Sequence, residues 1–390
     1  MPSYISSNAN RFYTALESSY GSTPSPQAAN RIPALKLTVR QQLEVSQRKD
    51  KTGSRTFPGL PVGGRRRTQF ELQTYLTSWS KTAGGPGYGP LFQAAMGGAS
   101  LLFSGAPIQS GNTTGALTFS APHGLSAGQA ISAGGEIRFA EAIVDPNTVQ
   151  LNAPLTALPG AGALAAATMS YTLATQLPSV TIFDYWSPPT AIQRLLSGAA
   201  MNSLEILVNG DYHEFHFTGI AQDVVDSTSF SAGAAQLATF PTEPALEEFD
   251  YSIVPGNMGQ AWLGTSPSQF LTITNAAIVL NNELDARAKE FGSTLPQAIA
   301  PGRRSVSAAF NLYGMDDGAT QALYQAARQR SPISVMFQLG ELPGQMMAVN
   351  LKSVIPEVPE FDDGDNRLQW KFRASRAQGS IDDELTVAFA

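Results

Sequence analysis

The chain alternates hydrophobic and polar residues in short runs, and the same order of runs occurs near both ends. Residues 37–45 alternate, a polar segment follows, and residues 64–75 open with Gly-Arg-Arg-Arg before they alternate again. Residues 271–280 and 302–313 repeat this order, with Gly-Arg-Arg at the start of the second run. Because the side chains of a strand point to its two faces in turn, this pattern predicts half-buried β-strands. The repetition predicts two copies of one β-unit within the chain.

A short apolar segment follows each of these runs and predicts a helix. Its sequence is Leu-Phe-Gln-Ala-Ala at 91–95 and Leu-Tyr-Gln-Ala-Ala at 323–327. A further segment, 191–196, which Thr190 could cap, matches 323–327 in its distance from the strand that follows. Either 91–95 or 191–196 is therefore the equivalent of 323–327 in the repeat.

A hairpin is clearly marked in the middle of the chain. Residues 203–208 alternate, Asn209-Gly210 predicts a two-residue type I′ turn, and residues 215–217 return along the second strand. When 203–208 is superposed on 334–339 at the first serine of each, the hydrophobic positions coincide. This common phase predicts that the two segments are equivalent strands of the repeat.

The pattern as a whole predicts a mainly β fold, with two tandem β-units, short helices and a small inserted β domain. The insertion follows from spacing, because Tyr75 to Ser203 is 107 positions longer than Tyr313 to Ser334. The predicted boundaries are 1–34 for a polar arm that orders only on assembly, 35–103 and 176–235 for the first domain, 104–175 for the inserted domain, 236–264 for a linker and 265–390 for the second domain.

The composition excludes several classes of protein. Gly and Pro number 35 and 26 and charged residues make up 14% of the chain, as in turn-rich β structure. There is no Cys, which excludes disulfides, zinc–thiolate sites and thiol catalysis. The opening residues lack the apolar core of a signal peptide, and no run approaches the roughly 18–20 apolar residues of a membrane helix. We therefore expect neither standard export nor contact with a membrane.

Motifs that could carry catalysis or hold a cofactor are weak. His213 and His216 stand on a predicted strand at an offset of three, which places the two rings on opposite faces. The acidic turn at 361–366 lacks the spacing and the closing Glu of a calcium loop. No nucleophile elbow, P-loop or dinucleotide-binding pattern occurs. We therefore predict a protein that is not an enzyme and holds neither a metal nor a cofactor.

Charges of opposite sign cluster in different segments, with a net charge of −6. The acidic balance and the lack of interleaved aromatics argue against a nucleic-acid site, and a solvated loop does not explain why Arg303-Arg304 repeats the basic run. We expect a basic loop that meets an acidic surface of a neighbouring copy and provides orientation more than affinity. The basic candidates are Arg48, Lys49, Lys51, Arg55, Arg65, Arg66 and Arg67. The acidic candidates are Glu357, Glu360, Asp362, Asp363, Asp382, Asp383 and Glu384.

Several motifs in order resemble the major tail tube proteins of long-tailed bacteriophages, over most of the chain. They are Ala-Leu-Glu-Ser-Ser-Tyr-Gly-Ser at 15–22, Gly-Arg-Arg at 64–66 before a strand that ends Thr-Tyr-Leu at 74–76, Ser-Val-Thr-Ile at 179–182, and Gly-Ala-Ala-Met-Asn-Ser-Leu at 198–204 before an Asn-Gly-Asp hairpin. The resemblance implies tail-tube-type domains, each a β-sandwich-like unit. Their inner sheets join those of neighbouring subunits into a barrel ring around a lumen.

The resemblance also implies a structural virion protein, found in the tail tube and assembled in the host cytoplasm. Rings stack through long hairpin loops into the tube of a siphophage, the conduit for DNA ejection. Because most such proteins have one tube domain and form hexamers, two domains per chain predict a trimeric ring with pseudo-sixfold symmetry. The inserted domain at 104–175 is then expected outside the tube.

The implied partners are further copies of the chain, the tape measure protein, the tail terminator and the distal tail protein. Double-stranded DNA passes through without specific binding. An acidic or neutral lining is expected, because a lining that bound phosphates would stall the duplex.

Two other classes of protein stay open. A tail terminator or distal tail protein also forms rings, but it caps the tube and does not polymerise. A carbohydrate-binding or hydrolytic tail protein would show clustered exposed Trp or a carboxylate pair in a cleft, whereas Trp79, Trp186, Trp262 and Trp370 are scattered.

Overall fold

The computed structural model describes residues 4–44, 51–55, 64–79, 85–245, 251–285 and 289–390. In these residues the fold is mainly β, as predicted, with 25 strands, two α-helices and two 3₁₀ turns. The elements up to the end of the insertion are β1 (Asn10–Leu16), β2 (Arg31–Ile32), β3 (Ala34–Leu43), β4 (Arg66–Tyr75), α1 (Gly89–Met96), β5 (Leu101–Phe103), β6 (Ala106–Pro107), β7 (Ala116–Thr118), β8 (Ala130–Ala133), β9 (Glu136–Asp145), β10 (Thr148–Leu151), β11 (Leu164–Ala165) and β12 (Thr168–Thr172). The remaining elements are β13 (Val180–Trp186), β14 (Arg194–Val208), β15 (Glu214–Ala221), β16 (Asp223–Asp226), β17 (Gly259–Gly264), β18 (Ser268–Gln269), β19 (Ile273–Asn281), β20 (Ser305–Tyr313), α2 (Gly318–Gln329), β21 (Ile333–Leu339), β22 (Met347–Val354), β23 (Glu360–Asp362), β24 (Gln369–Gln378) and β25 (Thr386–Phe389).

Eight antiparallel strands form one continuous sheet, here named the inner sheet. Their order is β3-β4-β15-β14-β19-β20-β24-β23. One face is apolar because the strands alternate, as in β20, where Val306, Ala308, Phe310 and Leu312 are buried and the residues between them are half-buried. The pairing of β14 with β19 joins the amino-terminal four strands to the carboxyl-terminal four.

Two further sheets pack on the apolar face of the inner sheet. The first outer sheet has the order β2-β1-β13-β14-β16. The second outer sheet has the order β18-β17-β21-β22-β25-β12-β5. Strand β14 starts in the first outer sheet and continues in the inner sheet from Ala200 onward, so one strand links the two layers.

Helix α1 lies in the core between the layers, and helix α2 buries one face against that core. Helix α1 buries Leu91 and Phe92, and the Phe92 ring packs edge-on against Phe215 and Phe217 of the inner sheet. Helix α2 begins at Asp317, whose carboxylate accepts a hydrogen bond from the Thr320 N–H at 2.7 Å. Both predicted helices at 91–95 and 323–327 are confirmed.

The helix predicted over 191–196 is wrong. Arg194 begins the long strand β14, and Leu195 and Leu196 are both buried although they point to opposite faces. A strand covered on both faces shows two adjacent apolar residues, which the sequence pattern does not distinguish from a helix. The equivalent of 323–327 is therefore 91–95.

One strand topology occurs in both halves of the chain. β1 pairs with β13 as β17 pairs with β21, and β13 pairs with β14 as β21 pairs with β22. The hairpin β3–β4 corresponds to β19–β20, and each hairpin has one register shift near its start. The predicted equivalence of 203–208 and 334–339 is wrong, because 334–339 lies in β21, the counterpart of β13. Both segments alternate, and alternation alone does not reveal which sheet a strand joins.

The central hairpin has the predicted strands and a different turn. Leu207 pairs with Glu214, so the connection spans more residues than a type I′ turn allows. Asn209 is left-handed with φ 61°, as that turn requires, but Gly210 has no positive φ. Instead, the Gly210 carbonyl lies against Gly256, where an added Cβ would approach it to 2.0 Å.

Three strands lie outside their predicted regions. β1 pairs with two strands and buries Phe12 and Tyr13, so residues 1–34 are not an arm that orders only on assembly. β17 falls in the predicted linker 236–264 and β12 in the predicted insertion 104–175, yet both belong to the second outer sheet. Such strands are buried on both faces and lack the alternation on which the boundaries depended.

The residues between β5 and β12 form a small unit with a core of its own. Its four-stranded sheet has the order β7-β10-β9-β8, and β6 pairs with β11. Ile137 and Phe139 form one apolar cluster with Trp262 and Met336 of the second outer sheet. Val335 and Phe337, which flank Met336, instead face the main core. The unit therefore packs on the side of the second outer sheet that faces away from the inner sheet.

A buried arginine fixes this unit to the sheet. Arg138 is fully buried, forms an ion pair with Glu136 and donates from Nη2 to Gln260 Oε1 at 3.0 Å. Its guanidinium lies 4.8 Å from the centre of the Trp262 ring. Burial lowers the pKa of Arg138 to about 10, against the opposing effect of Glu136. The charge is retained because both its ion pair and its hydrogen bonds are supplied inside the protein.

Candidate assembly surface

The second face of the inner sheet is solvent-exposed in the residues that the structure describes. Its charged side chains have both signs in near balance: Lys36, Arg40, Arg67, Lys371, Arg373 and Arg376 against Glu71, Glu205, Glu214, Glu360 and Asp362. The side chains on β19 and β20 are small or uncharged: Asn275, Ala277, Val279, Asn281, Ser305, Ser307, Ala309 and Asn311. The face is therefore polar and close to neutral.

The inner sheet ends in two strands that each have one partner among the described residues. β3 pairs with β4 over its whole length, and β23 pairs with β24 through Glu360, Phe361 and Asp362. Large apolar side chains are exposed at both edges, namely Leu35 and Leu43 on β3 and Val358 and Phe361 at β23. An edge strand with free backbone groups and exposed apolar side chains is a template for pairing with another chain.

The charges on β3 escaped the sequence analysis. Lys36 and Arg40 lie on the exposed face and make no ion pair with a described residue. The equivalent positions of β19 are Asn275 and Val279, which are uncharged. Both cations fall in one phase of an alternating run, which is the sequence signal for two charges on one face of a strand.

The Gly-Arg-Arg motif marks a corner of each long hairpin. A Cβ on Gly64 would lie 1.4 Å from the Glu44 carbonyl oxygen, and one on Gly302 would lie 2.5 Å from that of Glu283. Only glycine permits so close an approach of the two backbones. The strand registers make Gly64 and Gly302 equivalent, so a shared backbone geometry explains why the motif repeats.

The predicted basic loop is in part a strand. Arg66 and Arg67 are the first residues of β4, and Arg66 Nη1 donates to Asp223 Oδ2 at 3.1 Å. Arg65 donates from Nη2 to the Lys289 carbonyl at 2.9 Å. Lys51 and Arg55 are exposed, whereas Arg48 and Lys49 lie outside the described residues.

Most of the acidic candidates have partners inside the chain. Asp382 and Glu384 accept hydrogen bonds from Arg304 Nη2 at 2.6 and 3.2 Å, and Asp383 pairs with Lys352 at 3.0 Å. Glu360 pairs with Arg373, and Asp362 pairs with Lys371, which holds the pKa of Asp362 below its usual range. Glu357 and Asp363 make no ion pair with a described residue. Arg304 is the equivalent of Arg66, so a basic residue at this corner contacts a carboxylate of its own chain in both halves.

The two long hairpins leave the same end of the inner sheet and contact each other there. The Arg66 N–H donates to the Thr294 carbonyl at 2.8 Å, across from one hairpin to the other. Gln222 Nε2 donates to the Pro296 carbonyl at 3.1 Å. The ends of both hairpins therefore lie together at the same end of the inner sheet.

A buried carboxylate in the first half was missed by the sequence analysis. Glu17 accepts hydrogen bonds from the Gly21 and Gly198 N–H groups, both at 2.8 Å, and from the Ser179 and Thr181 hydroxyls, both at 2.6 Å. Four donors on one carboxylate replace its hydration, although no cation is involved. Gly198 lies where β14 passes from one sheet to the other, so the hydrogen bond to Glu17 stabilises the backbone at that point.

His213 and His216 have different surroundings. His213 is buried, which lowers its pKa, and its Nε2 lies 3.1 Å from the Met258 carbonyl oxygen. His216 is on the exposed face of the inner sheet, 3.0 Å from Glu214 and 3.5 Å from Glu205. Within the described ranges, no cluster of acidic or His side chains has the geometry of a metal site. In the same residues, no helix is both long and apolar enough to traverse a bilayer.

The fold and the edges together define a class of protein, the β-sandwich subunit whose curled inner sheet is open to extension by further strands. The family profile described as phage tail tube protein matches residues 7–357. The chain belongs to this family and is a structural component of a phage tail. A comparison with curated proteins gives no match.

Proposed function

We propose that three copies of the chain form a ring and that rings stack into the tail tube of a siphophage, through which DNA is ejected. The pairing of β14 with β19 carries this proposal. It joins two four-strand arrangements of the same topology edge to edge, so each chain has the form of two neighbouring tube domains. Three chains of eight strands would close a barrel of 24 strands.

The stagger of the inner sheet supports closure. Residues that lie opposite one another lead from Lys36 on β3, through four strand pairings, to Val279 on β19. The equivalent of Lys36 on β19 is Asn275, so the register has shifted by four residues along the strand. Four residues over four strands correspond to a tilt of roughly 35°, and barrels close at tilts of about 35–45°. A barrel of 24 strands at this tilt is roughly 45 Å across between backbones, which leaves room for a DNA duplex. A ring of six chains would be roughly twice as wide.

The exposed face of the inner sheet is the proposed lining of the lumen. Its mixed and nearly balanced charges give a duplex no continuous positive track to bind, so phosphates are not held. The side chains of β19 and β20 on this face are uncharged and add no site that would hold a phosphate. The tube is then a passive conduit, assembled in the host cytoplasm and carried in the virion.

The remaining surfaces follow from this orientation. The small unit between β5 and β12 lies behind the second outer sheet and therefore decorates the outside of the tube. The two long hairpins, with Lys51 and Arg55, contact the next ring. The tape measure, tail terminator and distal tail proteins are the further partners proposed for the assembled tube.

The oligomeric state and the ability to polymerise test this function. The mass of the smallest assembly, measured by light scattering, should be three times the 41.3 kDa of the chain. Negative-stain microscopy at higher concentration should show stacked tubes. Rings that never stack would indicate a terminator or distal tail protein instead, and a stable monomer would overturn the proposal.

A further inference from the structure

We propose a specific register between neighbouring copies, in which β3 of one chain pairs with β23 of the next, with Arg40 opposite Glu360 and Val39 opposite Phe361. This inference rests on the proposed ring. It adds which residues meet at each subunit junction and what distinguishes that junction from the one inside the chain.

The register follows from the junction that the chain already contains. Inside the chain, β14 meets β19 with Glu205 opposite Val279 and Ile206 opposite Ile278. The free edges of the inner sheet are the equivalents of these two strands. A second copy would therefore repeat the same pairing between β23 and β3.

Two equivalent rows of the inner sheet fix the alignment. One row of opposed residues is Lys36, Gln73, His216 and Glu205. The other row is Asn275, Asn311, Lys371 and Glu360. Glu360 is thus the equivalent of Glu205 and Lys36 that of Asn275. Val279 lies four residues after Asn275, so its equivalent is Arg40.

On the exposed face, the two edges carry complementary charge. β23 carries Glu360 and Asp362, while β3 carries Lys36 and Arg40. In the proposed register Glu360 lies between Arg40 of the neighbour and Arg373 of its own chain. Opposite charges across a strand pair stabilise it and suppress other registers, whereas like charges directly opposite destabilise it. The junction inside the chain has no such pair, because its register is set by the covalent connection.

On the apolar face, the same register covers exposed side chains. Phe361 is 54% exposed, although its equivalent Ile206 is fully buried against β19. Val39 is half-buried, while its equivalent Ile278 is 1% exposed. Pairing of β23 with β3 would bury Phe361 and Val39 against each other. Both faces of the two edges therefore select the same partner, a second copy of this chain.

Disulfide cross-linking tests the register, because the chain has no cysteine of its own. Residues opposite in an antiparallel pair have Cα atoms about 4.5–5.5 Å apart, within the range that a disulfide spans. Arg40→Cys/Glu360→Cys should give a covalent ladder up to the trimer on non-reducing gels after mild oxidation of assembled tubes. Lys36→Cys/Glu360→Cys is the off-register control and should stay monomeric on the gel. Glu205→Cys/Val279→Cys should form a disulfide within one chain and no ladder.

A charge exchange covers the case in which the cysteine variants do not assemble. Arg40→Glu should weaken association at each junction about fivefold and so raise the concentration needed for ring formation. Adding Glu360→Arg and Arg373→Glu to Arg40→Glu keeps an opposite charge beside position 360 within the chain and should restore assembly. If this triple variant does not assemble, or if the off-register pair gives a ladder, the register is overturned. Tubes of the wild-type protein would still support the proposed function in that case. Absence of wild-type rings would instead remove the function on which the register depends.

Discussion

Strands β3 and β19 occupy the same position in the two halves of the chain, yet one is covered and the other is free. β19 pairs with β14 of the first half over six residues and has uncharged side chains on its exposed face. β3 has a partner on one side in the described chain and carries Lys36 and Arg40 on that face. β14 is likewise covered and β23 free, although both carry a glutamate on the exposed face, Glu205 and Glu360.

The difference indicates what covalent linkage changes. Strands joined by the chain meet at a high effective concentration, so their register needs no charge. Strands on separate molecules must find both partner and register, and complementary charge supplies that selectivity.

The largest expected effect comes from placing a carboxylate at the two equivalent apolar positions. Ile278→Asp buries a charge in the covered junction and should lower the free energy of unfolding by more than about 4 kcal/mol. Val39→Asp at the free edge should cost the monomer about 1 kcal/mol and abolish ring formation. Thermal unfolding and sedimentation measure the two effects. Similar loss of monomer stability in both variants would contradict the distinction between covered and free edges.

The second prediction concerns the buried carboxylate. Glu17→Gln replaces an acceptor oxygen with a donor that faces other donors, and should destabilise the protein by about 2–3 kcal/mol. The equivalent position in the second half is the exposed Ser266, where Ser266→Ala should change stability by less than about 0.5 kcal/mol. Chemical denaturation of both variants checks the asymmetry, and equal effects would show that the halves do not differ here.

A smaller effect is expected at the two equivalent arginines. Arg304 has an 18% exposed side chain and contacts two carboxylates, whereas the side chain of Arg66 is 47% exposed and contacts one. Arg304→Ala should therefore cost about 1–2 kcal/mol and Arg66→Ala about 0.5 kcal/mol, since solvent weakens exposed pairs. If thermal unfolding shows a larger loss of stability for Arg66→Ala than for Arg304→Ala, burial does not determine the strength of these ion pairs.

The smallest effect is expected from acid. Lys371 lowers the pKa of Asp362, so the folded protein favours the ionised form more than the unfolded chain does. The resulting stabilisation is present above the ordinary aspartate pKa and is lost as the pH falls through the depressed value. Asp362→Asn should make the unfolding temperature less sensitive to acid, measured by calorimetry from the ordinary aspartate pKa downward. An unchanged pH profile would show that the ion pair with Lys371 does not stabilise this edge strand.

The sequence predicted the strands that have one solvent-exposed face. Alternation located β3, β4, β14, β15 and β20, and the repeated Leu-x-Gln-Ala-Ala segments located both helices. It missed β1 and β17, which are covered on both faces, so their apolar residues stand next to each other instead of alternating with polar ones. It also paired β21 with the wrong strand, because phase is shared by strands of different sheets.

The assembly residues were predicted only in part. The basic and acidic clusters were visible as charge, but their pairing within the chain, as for Arg304 with Asp382 and Glu384, depends on contacts between distant segments. Lys36, Arg40 and Phe361 become meaningful only when the equivalence of the two edges is known. That equivalence comes from strand register, which composition does not contain.

The most direct test of two tube domains per chain is a near-atomic reconstruction of assembled tubes by electron cryomicroscopy. The account predicts three chains in each ring, 24 strands around the lumen, and β3 of each chain hydrogen-bonded to β23 of its neighbour with Arg40 opposite Glu360. Six chains in a ring, or β3 and β23 left unpaired at the lumen wall, would contradict it.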